Sequence, residues 1–450
     1  MSADHVARHS VLYLASRPPF PARGGREKLI LQSLDFLAAE HDVHVIVFCG
    51  RSESVDAGKL RELGCRSVTT IALPNSVEVA FNVVTRLRHS LQENLFFSRR
   101  AQTNVREIAC QGFDVVVADM LRTAQYCDVL KLPKIVDLDD LLADRYRQFI
   151  ENGHHSEIFG TFSNRIPRVF KAIEPMLRRH VLKREQRIIG NRERGAPSRF
   201  DATLLTSLKE VRRLETGSPA AKSVYANPQA VAVPNAVWHP DPSVPVVINL
   251  FFVGNLKTSQ NLASLKHISH EIMPALIGRG LNAVLHTIGD HDQRAGEITA
   301  GIHRNVVHYG FVSDFSTILH QCHVALMPIV EGTGIKTKVL DAMAMGIPVV
   351  TNELGIEGLT VTHGREVLIA HSPNEAARLV EELANNPALC QQISLAARAY
   401  VVEHHDPLLL RRQFLEHVSV AVERGRERIL LASGSGRRES GGVAPLQKIS

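Results

Sequence analysis

A chain of 450 residues with 44 % hydrophobic and 22 % charged residues is too long for one ordinary core and too apolar to be largely disordered, so two packed domains are expected. No apolar run reaches the length of a membrane-spanning helix, and the short polar start Met1–Ser10 lacks the core of a signal peptide. The surplus of six positive charges calls for an anionic partner, while six scattered cysteines without metal spacing suit a reducing cytosol and offer no structural zinc site.

The opening reads as strand, loop, helix, strand. Val11–Ala15 is an apolar run of strand length, and Ser16–Gly25 is a Pro/Gly-rich loop. Lys28–Ala39 repeats apolar residues at helical spacing, and Val43–Phe48 is a second buried run. Short β-branched runs continue the series at Ser67–Leu73, Asp114–Ala118 and Lys134–Asp137, with Ala202–Thr206 and Ala230–Val233 as closing strands. Residues 147–195 carry no strand pattern and read as inserted helices. Between Arg165 and Arg199 stand eleven Lys/Arg against three acids. This suits either a solvated helix face or a patch for an anionic membrane surface or acceptor. The segment lacks the interleaved aromatics that stack bases, so no nucleic acid is expected.

Three prolines mark Val237–Pro245 as a linker. A second series then follows, with strands at Asn249–Val253, Ala283–Ile288, Val306–Tyr309, Val324–Pro328, Pro348–Thr351 and Val367–Ala370. Helices fall at 261–278, 313–320, 336–345 and 374–386. Strands alternating with helices imply doubly wound parallel sheets that bind ligands at the carboxyl ends of their strands. The expected fold is α/β, with two Rossmann-like domains facing a cleft. Residues 1–240 form the first and 246–400 the second. Helices over 401–431 pack back on the first domain, and a low-complexity tail over 432–450 is disordered.

The stretch richest in chemistry is Pro328–Val350. A strand end leads into Gly332-Thr333-Gly334 and then into a helix from about Ile335 to Met345. Glycines let the backbone approach an anion, and a helix N-terminus offers unpaired N–H groups at its positive end. A diphosphate fits there. Lys336 and Lys338 add charge at a helix start that would ordinarily favour acids, and Asp341 can accept hydrogen bonds from ribose hydroxyls. Gly24-Gly25, at the end of the first loop, suits a turn or a close backbone approach to phosphate or acceptor. Its spacing is not the Gly-x-Gly-x-x-Gly of dinucleotide oxidoreductases. The acidic Val136–Asp140 stretch reads as an acceptor contact or a helix cap, and no metal site is expected. His404 and His405 read as surface residues.

Taken together, Gly332-Thr-Gly334, the two lysines, Asp341 and Ala342-Met-Ala-Met-Gly-Ile-Pro-Val-Val350 resemble the family-four group of retaining glycosyltransferases with the two-domain GT-B fold, closest to bacterial members that build exopolysaccharide. The resemblance spans most of the chain. Pro18–Gly25 is similar to that group's first-strand loop, Phe200–Ser207 with Glu210 to a late strand of its first domain, and Val233–Ala236 to the turn ahead of its linker. Phe252-Val-Gly254 is similar to the first strand of its second domain, and Tyr309–Val312 to the loop against the base. The resemblance implies that Asp341 holds the ribose, that Gly332, Thr333 and Gly334 form the diphosphate turn, and that Phe311 and Val312 flank the base. The family spaces two glutamates more closely than Glu331 and Asp341 stand here. It also has an Arg…Lys pair where this chain has Asn255-Leu-Lys257. That leaves Lys257 and Lys336 to neutralise phosphate charge. No first-domain catalytic histidine is identifiable; Asp119, Arg122 and Asp139 lie at strand ends instead.

The expected activity is transfer of a sugar, with retention, from a nucleotide-diphosphate sugar to a glycan or lipid-linked acceptor in cell-surface polysaccharide synthesis. Lys336, Lys257 and Asp119 are the catalytic candidates. Gly24, Gly25, Gly254, Phe311, Val312, Glu331, Gly332, Thr333, Gly334, Ile335, Lys338 and Asp341 are the donor-binding ones. The lysines and backbone amides take the place of a metal, so no cofactor is expected. The chain is expected in the cytoplasm, at the inner face of the membrane if the basic segment binds lipid. An epimerase or phosphorylase on the same plan, or a non-catalytic glycan-binding homologue, are the competing readings.

Overall fold

The structure is a computed structural model and describes residues 8–22, 24–152, 168–216, 223–234, 238, 246–312, 318, 321–332 and 334–435. The chain divides into two compact units. One comprises Met1–Leu205, Val211–Ala226 and Arg412–Ser450, and the other Thr206–Glu210 and Asn227–Arg411.

The first unit is built on a seven-stranded sheet of β1 (Ser10–Ala15), β2 (Asp42–Cys49), β3 (Ser67–Ala72), β4 (Val115–Asp119), β5 (Lys134–Asp137), β6 (Ala202–Leu205) and β7 (Val224–Ala226). The strands lie in the order β3-β2-β1-β4-β5-β6-β7 and every pairing is parallel. Val11–Ala15 and Val115–Ala118 are buried along their whole length, as strands covered on both faces must be. The second unit has β8 (Ile248–Val253), β9 (Ala283–Ile288), β10 (Val306–His308), β11 (Val324–Met327), β12 (Val349–Thr351) and β13 (Leu368–Ile369), in the order β10-β9-β8-β11-β12-β13 and again all parallel. Six strands thus run in the same relative order in both sheets. The order reverses between β1 and β4 in one unit and between β8 and β11 in the other. Doubly wound sheets leave a crevice at the carboxyl ends of the strands flanking such a reversal.

Several expectations shift. The last strand of the first sheet is Val224–Ala226, not Ala230–Val233. The latter residues fall in the second unit, where the Val231 amide bonds the His405 carbonyl at 2.9 Å. The first compact unit accordingly ends at Ala226 in this part of the chain, ahead of residue 240. His405 is buried rather than on the surface, and its Nδ1 lies 2.9 Å from the Gln229 carbonyl oxygen. Residues 432–435, expected in a disordered tail, end the helix Pro407–Ser435, which from Arg412 onward belongs to the first unit. Most of the linker Val237–Pro245, most of the helix expected over 313–320, and residues 436–450 lie outside the described residues. Among the described residues, no helix is long and apolar enough to cross a membrane.

Candidate functional site

The reversal point of the second sheet gathers the residues that the sequence singles out. After β11 the chain makes a turn in which Gly332 has φ +112° and Gly334 φ +75°. Side chains rarely adopt such angles, so glycine is required at both. The turn feeds the helix Thr337–Met345, two residues later than expected, with Lys336 as its N-cap in an extended conformation (φ −90°, ψ 92°). No side chain caps this end and no acid stands in its first turn, so the helix presents its positive end and amides toward the turn. Gly346, at φ +80°, closes the helix in the left-handed conformation usual after a last turn. Thr333 lies outside the described residues.

Each lysine has a defined position. The Lys336 side chain is folded onto the turn: its Nζ donates to the Gly334 carbonyl at 2.5 Å and stands 3.6 Å from Glu357 Oε2. Lys338 instead points inward, donating to Asn261 Oδ1 at 2.6 Å with its ammonium 4.8 Å above the Phe252 ring. Burial, with Lys336 nearby, pulls its pKa down to about 8. Asn261 in turn donates to the Asn255 carbonyl at 2.9 Å. A Cβ on Gly254 would stand 2.8 Å from the Asn261 side chain, which would have to shift. Gly289 (φ +137°) passes still closer, its would-be Cβ 2.1 Å from the Gly254 carbonyl oxygen. Lys257 is half exposed and pairs with Asp290 at 3.7 Å on the rim. Phe311 is 76 % exposed beyond β10, beside a partly buried Val312. Glu331, Ile335 and Asp341 are half-buried, Asp341 as the fifth residue of its helix.

The sequence reading missed the loop after β12, which bonds the segment leading into the turn. Asn352 accepts from the Ile329 and Gly355 amides at 3.2 and 3.0 Å and donates to the Ile329 carbonyl at 2.8 Å, tying that loop to the turn. Glu357 follows, and Gly358 (φ +83°) has no room for a Cβ, which would stand 2.9 Å from Ile335.

The reversal point of the first sheet holds a buried ionic cluster. Arg26, in the first turn of the helix Gly25–Glu40, donates through Nε to Asp119 Oδ1 at 2.6 Å and pairs with the same carboxylate through Nη2. Its Nη1 reaches Asp137 at 3.4 Å and Asp139 at 3.5 Å. Asp119 also accepts from the Ser16 amide at 2.7 Å. Burial alone would raise the Asp119 pKa, but the Arg26 charge and Ser16 outweigh it and hold the group ionised, below its ordinary value. Asp119 is fully buried and ties β1, β4 and the first helix together. Asp139 differs. It adopts φ +70°, its amide donates to Asp137 Oδ1 at 2.9 Å, and burial pushes its pKa up to about 6 against the lowering pull of Arg26. Arg122 is buried, its guanidinium 5.4 Å from the Phe96 ring, and burial pulls it down to about 9. Neither Gly24 nor Gly25 has a positive φ, which removes the strained-turn reading. A Cβ on Gly25 would meet nothing, and no side chain caps the helix beginning there.

Comparison with known proteins fits this geometry. Residues 248–386, all within the second unit, match the family described as Glycosyl transferases group 1. A protein of the cps region of Klebsiella pneumoniae, described as an uncharacterized 44.6 kDa protein, is 21 % identical over 418 residues, spanning 88 % of this chain and 96 % of that relative. Among solved structures, Anabaena HepE in complex with UDP and glucose superimposes with a TM-score of 0.57 at 14 % identity, covering 92 % of this chain and 100 % of that one. The lipopolysaccharide outer core galactosyltransferase WaaB gives a TM-score of 0.58 at 12 % identity, over 91 % and 99 %. TarM gives 0.59 at 10 %, over 92 % and 99 %. At these identities the likeness is one of fold, that of two-domain GT-B glycosyltransferases.

Proposed function

We propose that the chain is a retaining glycosyltransferase that moves a sugar from a nucleoside-diphosphate sugar to a glycan or lipid-linked acceptor in the synthesis of cell-surface polysaccharide. The observation that carries this reading is the left-handed Gly332–Gly334 turn opening into the uncapped helix Thr337–Met345, inside the residues matched by the glycosyltransferase domain. UDP and glucose in the HepE complex support the donor class, and the cps-region relative supports the polysaccharide role.

In this account the helix amides and Lys336 bind the diphosphate, Asp341 the ribose, and Phe311 with Val312 the base. When the bond from the anomeric carbon to the phosphate oxygen breaks, negative charge grows on the diphosphate. Donors already fixed at that point lower the barrier, each buried one being worth about 3 kcal/mol. Lys257, held on the rim by Asp290, is a secondary cation. Lys338 acts indirectly, fixing Asn261 and through it the end of β8. Asp119 positions Arg26, and Asp139, at the same strand ends, is the carboxylate we assign to the acceptor side. Charge neutralisation by lysines and amides makes turnover independent of a divalent metal.

The test is donor hydrolysis and transfer by the full chain against a panel of nucleotide sugars. Release of the nucleoside diphosphate, reduced about 100-fold in Lys336→Ala and in Asp341→Ala, is the expected result. Turnover unchanged in both removes the site assignment. Conversion of the donor sugar without release of nucleotide replaces the reading with an epimerase.

A further inference from the structure

We infer that the first unit docks on an anionic lipid bilayer through an apolar helix face set beside a basic one, a surface separate from the nucleotide site. The helix Ser76–Thr85 is apolar on two sides. Its inner side carries Val79, buried in the core, and Asn82, whose amide donates to the Asn94 and Phe97 carbonyls at 3.1 and 2.7 Å. Its outer side shows Val77, Phe81 and Val84 at helical spacing, 79, 62 and 68 % exposed, and Leu87 just beyond is 63 % exposed. Side chains of this kind ordinarily turn inward, and a contiguous exposed set marks an interaction surface. The acid on this helix face, Glu78, is engaged in the helix's own cap, accepting from the Asn75 amide at 3.0 Å.

Next to this stripe lies the helix Arg168–Arg199, whose described side chains from Arg179 onward sort their charges by side. Of these, the acids Glu185 and Glu193 are buried. Glu185 accepts from the Leu91 amide at 2.6 Å and Glu193 from the Ala143 amide at 3.3 Å. Arg179, Lys183 and Arg187, spaced at successive turns, are exposed. The two surfaces are joined directly, because Arg184 Nη2 donates to the Leu87 carbonyl at 2.6 Å. Apolar side chains flanked by a row of exposed bases fit the boundary between acyl chains and anionic headgroups, where each base near the surface strengthens binding about fivefold. An acidic protein groove would match the charges but gives no reason for Val77, Phe81 and Val84 to stand out together on one helix face.

The experiment is co-sedimentation of the full chain with vesicles of phosphatidylcholine alone or with one quarter phosphatidylglycerol. Two variants accompany it: Phe81→Gln with Val84→Gln, and Lys183→Glu with Arg187→Glu. All four positions are solvent-facing, and an unchanged melting temperature with unchanged UDP binding verifies each fold. The wild type is expected to bind the phosphatidylglycerol vesicles and release them at high salt, with each double variant at least tenfold weaker. Equal partitioning to both vesicle types, no binding, or full binding by both variants overturns the inference and leaves the nucleotide site untouched.

Discussion

Gly332→Ala separates a backbone that merely turns from one that grips a diphosphate. At φ +112° an alanine is outside even the small left-handed well, which costs about 1–3 kcal/mol locally. Its Cβ would also stand 3.2 Å from the Gln260 amide, so that side chain must give way. The turn relieves the strain by moving, and the amides leading into Thr337 move with it. Each charge-assisted hydrogen bond lost to a phosphate is worth about 1.5–3 kcal/mol, so UDP binding should weaken roughly 10- to 100-fold. Gly346→Ala is the matched control. It too has a positive φ (+80°), and its Cβ would meet Ser394 Oγ at 2.8 Å, yet it stands at the far end of the same helix. Both variants should melt lower, by about 2–4 °C for each kcal/mol in a unit of this size. Titration calorimetry with UDP on the folded proteins decides between them. Wild-type affinity in Gly332→Ala, or an equal loss in Gly346→Ala, would refute the reasoning.

Other consequences follow from the ionic cluster and the lysines. Arg26→Met strands the fully buried Asp119 carboxylate without its counter-ion and should cost about 3–5 kcal/mol in urea unfolding; a loss below about 1 kcal/mol contradicts the cluster's role. Asp139, raised to about 6 when folded against about 3.9 when unfolded, binds more protons in the native state between those values. It therefore lends stability at low pH that is lost as pH rises from about 4 to 6. Asp139→Asn should narrow the difference in melting temperature between pH 5 and pH 7.5, and an unchanged difference counts against this. Lys338→Met replaces an ammonium already disfavoured by burial and should retain most stability while loosening Asn261, seen as a rise in KM for donor with kcat within about threefold. Transfer measured with excess chelator should equal transfer without it, and restoration by added magnesium would bring a metal into the mechanism.

How much of this could be read from the sequence depended on how far each signal reaches along the chain. Strands buried on both faces announce themselves as mostly apolar runs, so Val11–Ala15 and Ala283–Ile288 differ from the observed strands by one residue or none. β7 did not, because Val224–Ala226 has only three residues, whereas Ala230–Val233 looks like a strand but lies beside His405. The Gly332–Met345 segment was legible because turn, helix start and lysines are contiguous. Arg26 was not. A basic residue in a first helical turn reads as solvated, and its partner Asp119 lies 93 positions away. Lys338 read as a phosphate ligand for want of any local sign that Asn261, 77 positions distant, claims it. Glu185 and Glu193 were hidden in the same way inside a basic run, where composition sees total charge but not the side of the helix each residue occupies.

The central claim is that a nucleoside diphosphate sits on the backbone amides at the start of Thr337–Met345 beside Lys336. A crystal structure of the full chain with UDP tests it most directly. The account predicts diphosphate density within about 3 Å of those amides and the Lys336 ammonium. Density for UDP elsewhere, with the Gly332–Gly334 turn bare, would contradict it.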